Sequence, residues 1–145
     1  MTRPSAAARA TAPPTEQRQV VWEVLAQLWV DTSYDPEELD RFADRLAACG
    51  FSIRELDRIA TREVCGAFAT FTLAVFLSAG MALPPWHFPE DRARKLVATW
   101  LSRPRLLSLL NPLWIAGYVA ARALLSRTWP DLRGRVAHRL GAPAV

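Results

Sequence analysis

The 145-residue sequence is poor in the residue types from which metal and redox sites are built. It has two cysteines, Cys49 and Cys65, and two histidines, His87 and His138, and none of them stands in a CxxC pair or at the spacing of zinc ligands. An acidic cluster at residues 31–40 lacks the alternating carboxylates and distal glutamate of a calcium loop. We therefore expect no metal site and no cofactor, and we interpret both cysteines as reduced thiols.

Patterns typical of enzymes are also missing. The six glycines form no phosphate-binding loop, and Ser78 lacks the first glycine of a nucleophile elbow. Neither histidine occurs in a pattern typical of a catalytic triad. We predict no catalytic residue, and an enzyme is not the expected class. The loop of interest is the proline-rich one that contains Trp86 and His87, although a single histidine between aromatic residues is usually a packing residue.

Strand patterns are nearly absent, whereas helix signals recur along the chain. Asp35 and Ser52 are each followed three residues later by glutamate, which is the capping-box pattern, and Gly50 stands where a helix stop belongs. Apolar residues recur at helical spacing between these signals, and prolines mark further helix starts, including a short last helix from Pro130. The sequence predicts an all-α, single-domain bundle of six to seven helices at residues 15–141, after a disordered tail at residues 1–14.

The longest uncharged stretch is residues 64–83, about the length that crosses the hydrocarbon layer of a bilayer. A helix wrapped on all sides by other helices has the same composition, so hydropathy alone does not separate the two. We favour a central apolar helix buried in the bundle, and hence a cytoplasmic protein. The alternative is a small membrane-associated protein in which residues 64–83 insert into the bilayer.

Charge is distributed unevenly along the chain. Between Glu16 and Glu63 there are eleven acidic residues and six arginines, whereas residues 101–145 contain seven arginines and a single acid, Asp131. This basic end predicts a surface for an acidic partner, although its arginines would equally pair with the acidic first half of the chain. The candidate interaction surface consists of five arginines: Arg122, Arg127, Arg133, Arg135 and Arg139.

The predicted helices of residues 39–62 have the outline of a helix-turn-helix, with Gly50 in the turn. Arg54, Arg58 and Arg62 form a row on the second helix, but acidic residues alternate with them. In addition, Leu46 stands where such motifs place a small residue. A DNA-binding role through residues 39–62 is therefore a weaker hypothesis than a packed helical hairpin, and we do not expect a nucleic-acid partner.

Several short segments stand in a recognisable order: Val21-Trp22-Glu23-Val24-Leu25, Leu28-Trp29-Val30-Asp31-Thr32, Gly50-Phe51-Ser52, Glu55-Leu56, Ile59 and Glu63-Val64. Over about residues 18–64 the chain resembles an uncharacterised family of short bacterial all-helical domains. The resemblance implies a helical fold and no activity. Together with six tryptophans, a residue type that often anchors interfaces, the composition favours a protein-interaction domain of accessory, adaptor or immunity type with an unidentified protein partner.

Overall fold

The computed structural model describes residues 15–29, 33–79 and 88–141, and these residues contain six helices and no strand. The predicted all-α class and the number of helices are confirmed. The predicted tail at residues 1–14 lies outside the described residues, and the domain boundary stays a prediction. The helices are α1 (Glu16–Ala26, continued by a 3-10 turn at Gln27–Trp29), α2 (Pro36–Ala48), α3 (Ile53–Leu77), α4 (Glu90–Ser102), α5 (Arg105–Leu109) and α6 (Pro112–Arg139).

Local capping explains where α2 and α3 begin. The Glu38 backbone N–H donates to the Asp35 carboxylate over 2.8 Å, and the Ser52 backbone N–H donates to the Glu55 carboxylate over 2.8 Å. Both are capping boxes, which satisfy N–H groups that have no partner within the helix. Between the two helices Gly50 has a φ of +76°, a left-handed conformation that a residue without a side chain adopts at no steric cost. These sequence predictions are confirmed.

Helix α3 is the central apolar helix of the bundle. In sequence, the second predicted helix of residues 39–62 and the uncharged stretch at residues 64–83 are separate features, but the structure joins them into a single helix. Its two α-helical segments, Ile53–Arg58 and Cys65–Leu77, are connected by a π-helical segment at Ile59–Val64. Of the predicted 64–83 stretch, residues 80–83 lie outside the described residues.

Helix α6 is also longer than the sequence indicates. Proline predicts a new helix at Pro130, yet α6 continues through this position to Arg139, and the predicted separate last helix is wrong. Proline fits helical φ and costs the helix a backbone hydrogen bond. Packing outweighs that cost, because the buried side of α6 continues on both sides of Pro130, from Leu125 and Trp129 to Leu132 and Val136.

The core forms where α3 packs along α6 and α1 covers them. Every residue of α1 from Val21 onward is buried, as are the residues of its 3-10 turn. Helices α3 and α6 run antiparallel: Asp57 of α3 meets Trp129 near the end of α6, whereas Gly66 of α3 meets Trp114 near its start. Helix α4 packs against α1 and α3, and the short α5 connects it to α6. This arrangement places α4, α5 and the start of α6 around one side of α3.

Candidate functional site

Three of the five C-terminal arginines form ion pairs within the chain. Arg133 contacts Asp57 of α3 at 3.0 Å, and Arg135 and Arg139 contact Asp40 of α2 at 2.8 and 3.0 Å. Arg135 also pairs with Asp131, and Arg139 with Asp44. The two guanidinium groups hold the pKa of the Asp40 carboxyl below its ordinary value. These pairs match the alternative in which the basic end neutralises the acidic first half of the same chain.

Of the other predicted site residues, the structure describes Arg122 and Arg127, and neither is in an ion pair among the described residues. Arg122 donates to the Tyr118 hydroxyl at 3.4 Å. Trp86 and His87 lie outside the described residues. The described ranges contain no group of three or more metal-ligating side chains. Both cysteines are free thiols, and burial raises the pKa of Cys65 to about 12.

Two buried carboxylates that the sequence did not single out are held by arginines. Glu63 of α3 accepts hydrogen bonds from the Trp22 indole N–H at 2.8 Å and from Arg18 Nε at 3.0 Å. Glu23 of α1 pairs with Arg45 and Arg94. Buried charge is tolerated when it is paired and hydrogen-bonded. Because both carboxylates are fully engaged in linking helices, we assign them to the scaffold.

A row of three aromatic side chains lies beside the π-helical segment, and we call Trp100, Trp114 and Tyr118 the aromatic row. The rings of Trp100 and Trp114 stack with centroids 5.1 Å apart, and those of Trp114 and Tyr118 with centroids 5.2 Å apart. Each side chain also donates a hydrogen bond to a backbone carbonyl of α3, with Arg62, Gly66 and Thr61 as the respective acceptors. The row thereby fixes α4 and α6 against α3.

Gly66 allows the aromatic row to approach α3 this closely. A Cβ atom at this position would lie 2.5 Å from Nε1 of Trp100, well inside the contact limit. The neighbouring π-helical segment alters the register of the backbone hydrogen bonds, and such segments often occur at functional sites. Gly66 is more than 30 positions away from Trp100 and from Trp114 in the sequence, so no local pattern predicts that they are in contact.

A groove of about 720 Å³ opens beside the aromatic row. Its lining residues lie within 66–71 of α3, 92–100 of α4, and 103–114, a range that includes α5 and the start of α6. Trp100 and Trp114 form its aromatic wall together with Phe71, and most of the remaining lining residues are exposed to solvent. The volume is in the range of ligand-binding sites, and the exposure makes it an open surface groove.

Among the described residues, the charged side chains that line the groove are all basic. They are Arg92, Lys95 and Arg103, and no carboxylate of the described ranges is among the lining residues. None of the three forms an ion pair within the described residues, in contrast to Arg133, Arg135 and Arg139. The guanidinium of Arg92 lies 5.7 Å from the ring centroid of Phe71, a cation–π distance. A groove that combines this aromatic wall with unpaired cations is suited to an amphipathic anion.

This groove was not predicted from the sequence. The predicted surface consists of arginines toward the C terminus, whereas two of the three groove cations, Arg92 and Lys95, lie before residue 101 and directly after Glu90 and Asp91. A signal was present, since residues 92–130 contain seven basic residues and no acidic one. Which of those basic residues pair depends on where other helices place their carboxylates, as Glu23 of α1 does for Arg94, and that is a tertiary property.

Comparison with known proteins identifies a family and no activity. The model of a family described as a domain of unknown function (DUF7079) matches residues 16–135. The match extends well beyond residues 18–64, on which the sequence resemblance rested, and it confirms the expectation of an uncharacterised family. No protein of curated function and no solved structure matches the chain significantly.

Proposed function

The chain belongs to the DUF7079 family of domains of unknown function, and we propose that it is a cytoplasmic protein-interaction domain whose groove binds an acidic amphipathic helix of a partner protein. The observation that carries this proposal is that unpaired basic side chains lie beside the aromatic wall of the groove between α3, α4 and α5. An accessory, adaptor or immunity-type role, in which the domain holds another protein, belongs to the same proposal.

The shape and chemistry of the groove favour a helix as the occupant. A helix that binds in a groove places one apolar side in it and keeps its polar side at the rim. Here Phe71, Trp100 and Trp114 offer large aromatic surfaces, which supply much of the binding energy at protein interfaces. Acidic residues at the edge of such a helix would lie beside Lys95 and Arg103.

The cations of the groove are available to a partner because no carboxylate of the described chain neutralises them. Arg133, Arg135 and Arg139 are already paired, so a partner that docked on them would have to displace Asp57, Asp40 or Asp44. Exposed charges mainly increase the association rate and the specificity of a complex. We therefore place the acidic partner at the groove and not at the C-terminal arginines.

The two other hypotheses have less support. Insertion of residues 64–83 into a bilayer would separate α3 from α6 and break the hydrogen bond from Trp114 to Gly66. Helix Ile53–Leu77 is long and apolar enough to span a membrane, but 56% of its apolar window is buried inside the protein. For DNA binding through residues 39–62, Arg54, Arg58 and Arg62 are exposed, whereas Asp57 between them pairs with Arg133 of α6.

The proposal is tested with a labelled model peptide of about 20 residues, since shorter isolated helices are marginal in water. The peptide carries leucine on one face and glutamate on the other, and its counterpart carries lysine in place of glutamate. We expect fluorescence anisotropy to show binding of the acidic peptide only. The variant Lys95→Gln/Arg103→Gln should bind it about fivefold more weakly, since two exposed ion pairs at about 0.5 kcal/mol each are lost.

The matched control is Arg54→Gln/Arg58→Gln, which removes the same charge from exposed positions outside the groove. This control should bind the acidic peptide like the wild type. Equal weakening by both variants would show that only net charge matters, and binding of the lysine peptide with equal affinity would contradict the assigned charge of the partner. Either result would refute the groove as the docking site.

The native partner is sought with the same pair of variants. The full-length chain is used for affinity purification from its host, and the retained proteins are identified by mass spectrometry. A protein retained by the wild type and by the control variant, but lost with Lys95→Gln/Arg103→Gln, would support the proposal. Retained proteins that do not distinguish the two variants would contradict it.

A further inference from the structure

Helix α5 has two sides with different surroundings. Leu107 and Ser108 line the groove, together with Pro104 before them and Asn111 after them. Leu106 and Leu109 of α5, Leu110 directly after it and Leu113 in the first turn of α6 are not among the lining residues, and they are 76%, 56%, 81% and 65% exposed. Four leucines in and around α5 are therefore presented to solvent outside the groove.

The end of α3 extends this apolar surface. Because α3 and α6 run antiparallel, the C-terminal residues of α3 lie toward the same end of the molecule as Leu113. Phe76 and Leu77 are 52% and 81% exposed there. We call the six residues Phe76, Leu77, Leu106, Leu109, Leu110 and Leu113 the leucine cluster. Exposed apolar surface of this kind on one end of a protein marks an interaction site.

The charged side chains nearest in sequence to the leucines of α5 are basic. Residues 92–130 contain no acidic side chain, and the acids that precede them, Glu90 and Asp91, stand at the start of α4. Arg103 and Arg105 precede the leucines of α5, and both are exposed and without an ion pair in the described part of the chain. Long basic side chains next to an apolar surface are suited to the headgroup region of an anionic bilayer, where the charge stays hydrated.

We propose that the leucine cluster docks the domain on an anionic lipid surface, with its apolar side chains in the acyl boundary and Arg105 among the headgroups. This contact lies on the surface and needs no spanning helix, so α3 keeps its place in the core. It is distinct from the groove, and it would hold a partner bound in the groove close to a membrane.

Two other occupants fit the cluster less well. A symmetric dimer would bring the basic residues Arg103 and Arg105 of both copies to one interface, which costs electrostatic repulsion. Protein interfaces concentrate their binding energy in Trp, Tyr and Arg, and leucine is under-represented among such residues. The cluster consists of five leucines and one phenylalanine and lacks hydrogen-bonding side chains, as expected for contact with acyl chains.

The test is co-sedimentation of the full-length chain with vesicles. One preparation is phosphatidylcholine alone, and the other contains phosphatidylglycerol in addition. We expect binding to the anionic vesicles, weaker binding to phosphatidylcholine, and a loss of affinity with increasing salt. The variant Leu110→Gln should bind the anionic vesicles about tenfold more weakly, because one large apolar contact with the bilayer is lost.

Leu140→Gln is the matched control, since Leu140 is also exposed but follows the far end of α6. It should bind vesicles like the wild type. Arg105→Gln should reduce binding to anionic vesicles and leave binding to phosphatidylcholine unchanged. Leu110→Gln should also leave the affinity of the groove for the acidic peptide unchanged, so failure of this proposal is distinguishable from failure of the proposed function.

Three results would overturn the proposal: no binding to either vesicle preparation, equal loss of binding in Leu110→Gln and Leu140→Gln, or equal binding to both lipid compositions. Sedimentation velocity without lipid tests the competing explanation, which is that the leucine cluster forms a dimer interface. A dimer that Leu110→Gln dissociates, combined with no vesicle binding, would assign the leucine cluster to a second copy of the chain.

Discussion

Replacing Gly117 with alanine tests how closely α3 and α6 pack. A Cβ atom at this position would lie 2.7 Å from the carbonyl carbon of Ala69 and closer still to its oxygen, whereas real Cβ atoms stay at least 3.0 Å from their neighbours. It would also lie 3.3 Å from Cβ of Leu73. Because the obstacle is backbone and not a flexible side chain, the two helices must move apart by a few tenths of an ångström or more.

The expected magnitude follows from two opposing contributions. Overpacking a dense interior costs about 1–3 kcal/mol, and a clash with backbone belongs near the upper end of that range. Alanine is more favourable than glycine within a helix by about 1 kcal/mol, which offsets part of the cost. We therefore expect Gly117→Ala to lower the free energy of unfolding by about 2 kcal/mol.

The control is Gly134→Ala in the same helix. A Cβ atom at Gly134 meets nothing within 4 Å, and its backbone φ is not in the positive region. Only the helix-propensity contribution applies, so this variant should be more stable than the wild type by about 0.5–1 kcal/mol. Urea denaturation followed by far-ultraviolet circular dichroism measures both variants. If both substitutions change stability in the same direction, the described α3–α6 contact is wrong.

Two further predictions concern α2. Asp35→Ala should lower the free energy of unfolding, measured by urea denaturation, by about 1 kcal/mol through loss of the helix cap. The exposed Glu37→Ala should lower it less. Equal effects of the two substitutions would contradict the assigned helix start. Arg135 and Arg139 lower the pKa of Asp40 in the folded state, so the contribution of this carboxylate is present above its unfolded pKa and is lost as the pH falls. Asp40→Asn should therefore lower the urea midpoint at pH 7 and change it less near pH 3, and an equal change at both pH values would refute the assigned ion pairs.

Local sequence patterns predict the overall distribution of charge but not which charged residues form ion pairs. The sequence alone reveals positive charge near the C terminus and an acidic first half, because both are properties of composition. It did not determine that Arg133 reaches Asp57, or that Lys95 and Arg103 have no such partner among the described residues. Ion pairing depends on which helix faces which, and residues 76 positions apart in sequence carry no local signal of their contact.

Helix formation and helix starts were determined by the sequence itself. The apolar spacing selects helix over strand, and Asp35, Ser52 and Gly50 act through hydrogen bonds and backbone conformations that involve only their near neighbours. The tertiary structure decided the rest. The packing of α3 along α6 carries α6 through Pro130 and makes Gly66 and Gly117 points of close approach. It also gathers Phe71, Trp100 and Trp114 around one groove, because contacts between distant helices arise only when their buried sides meet.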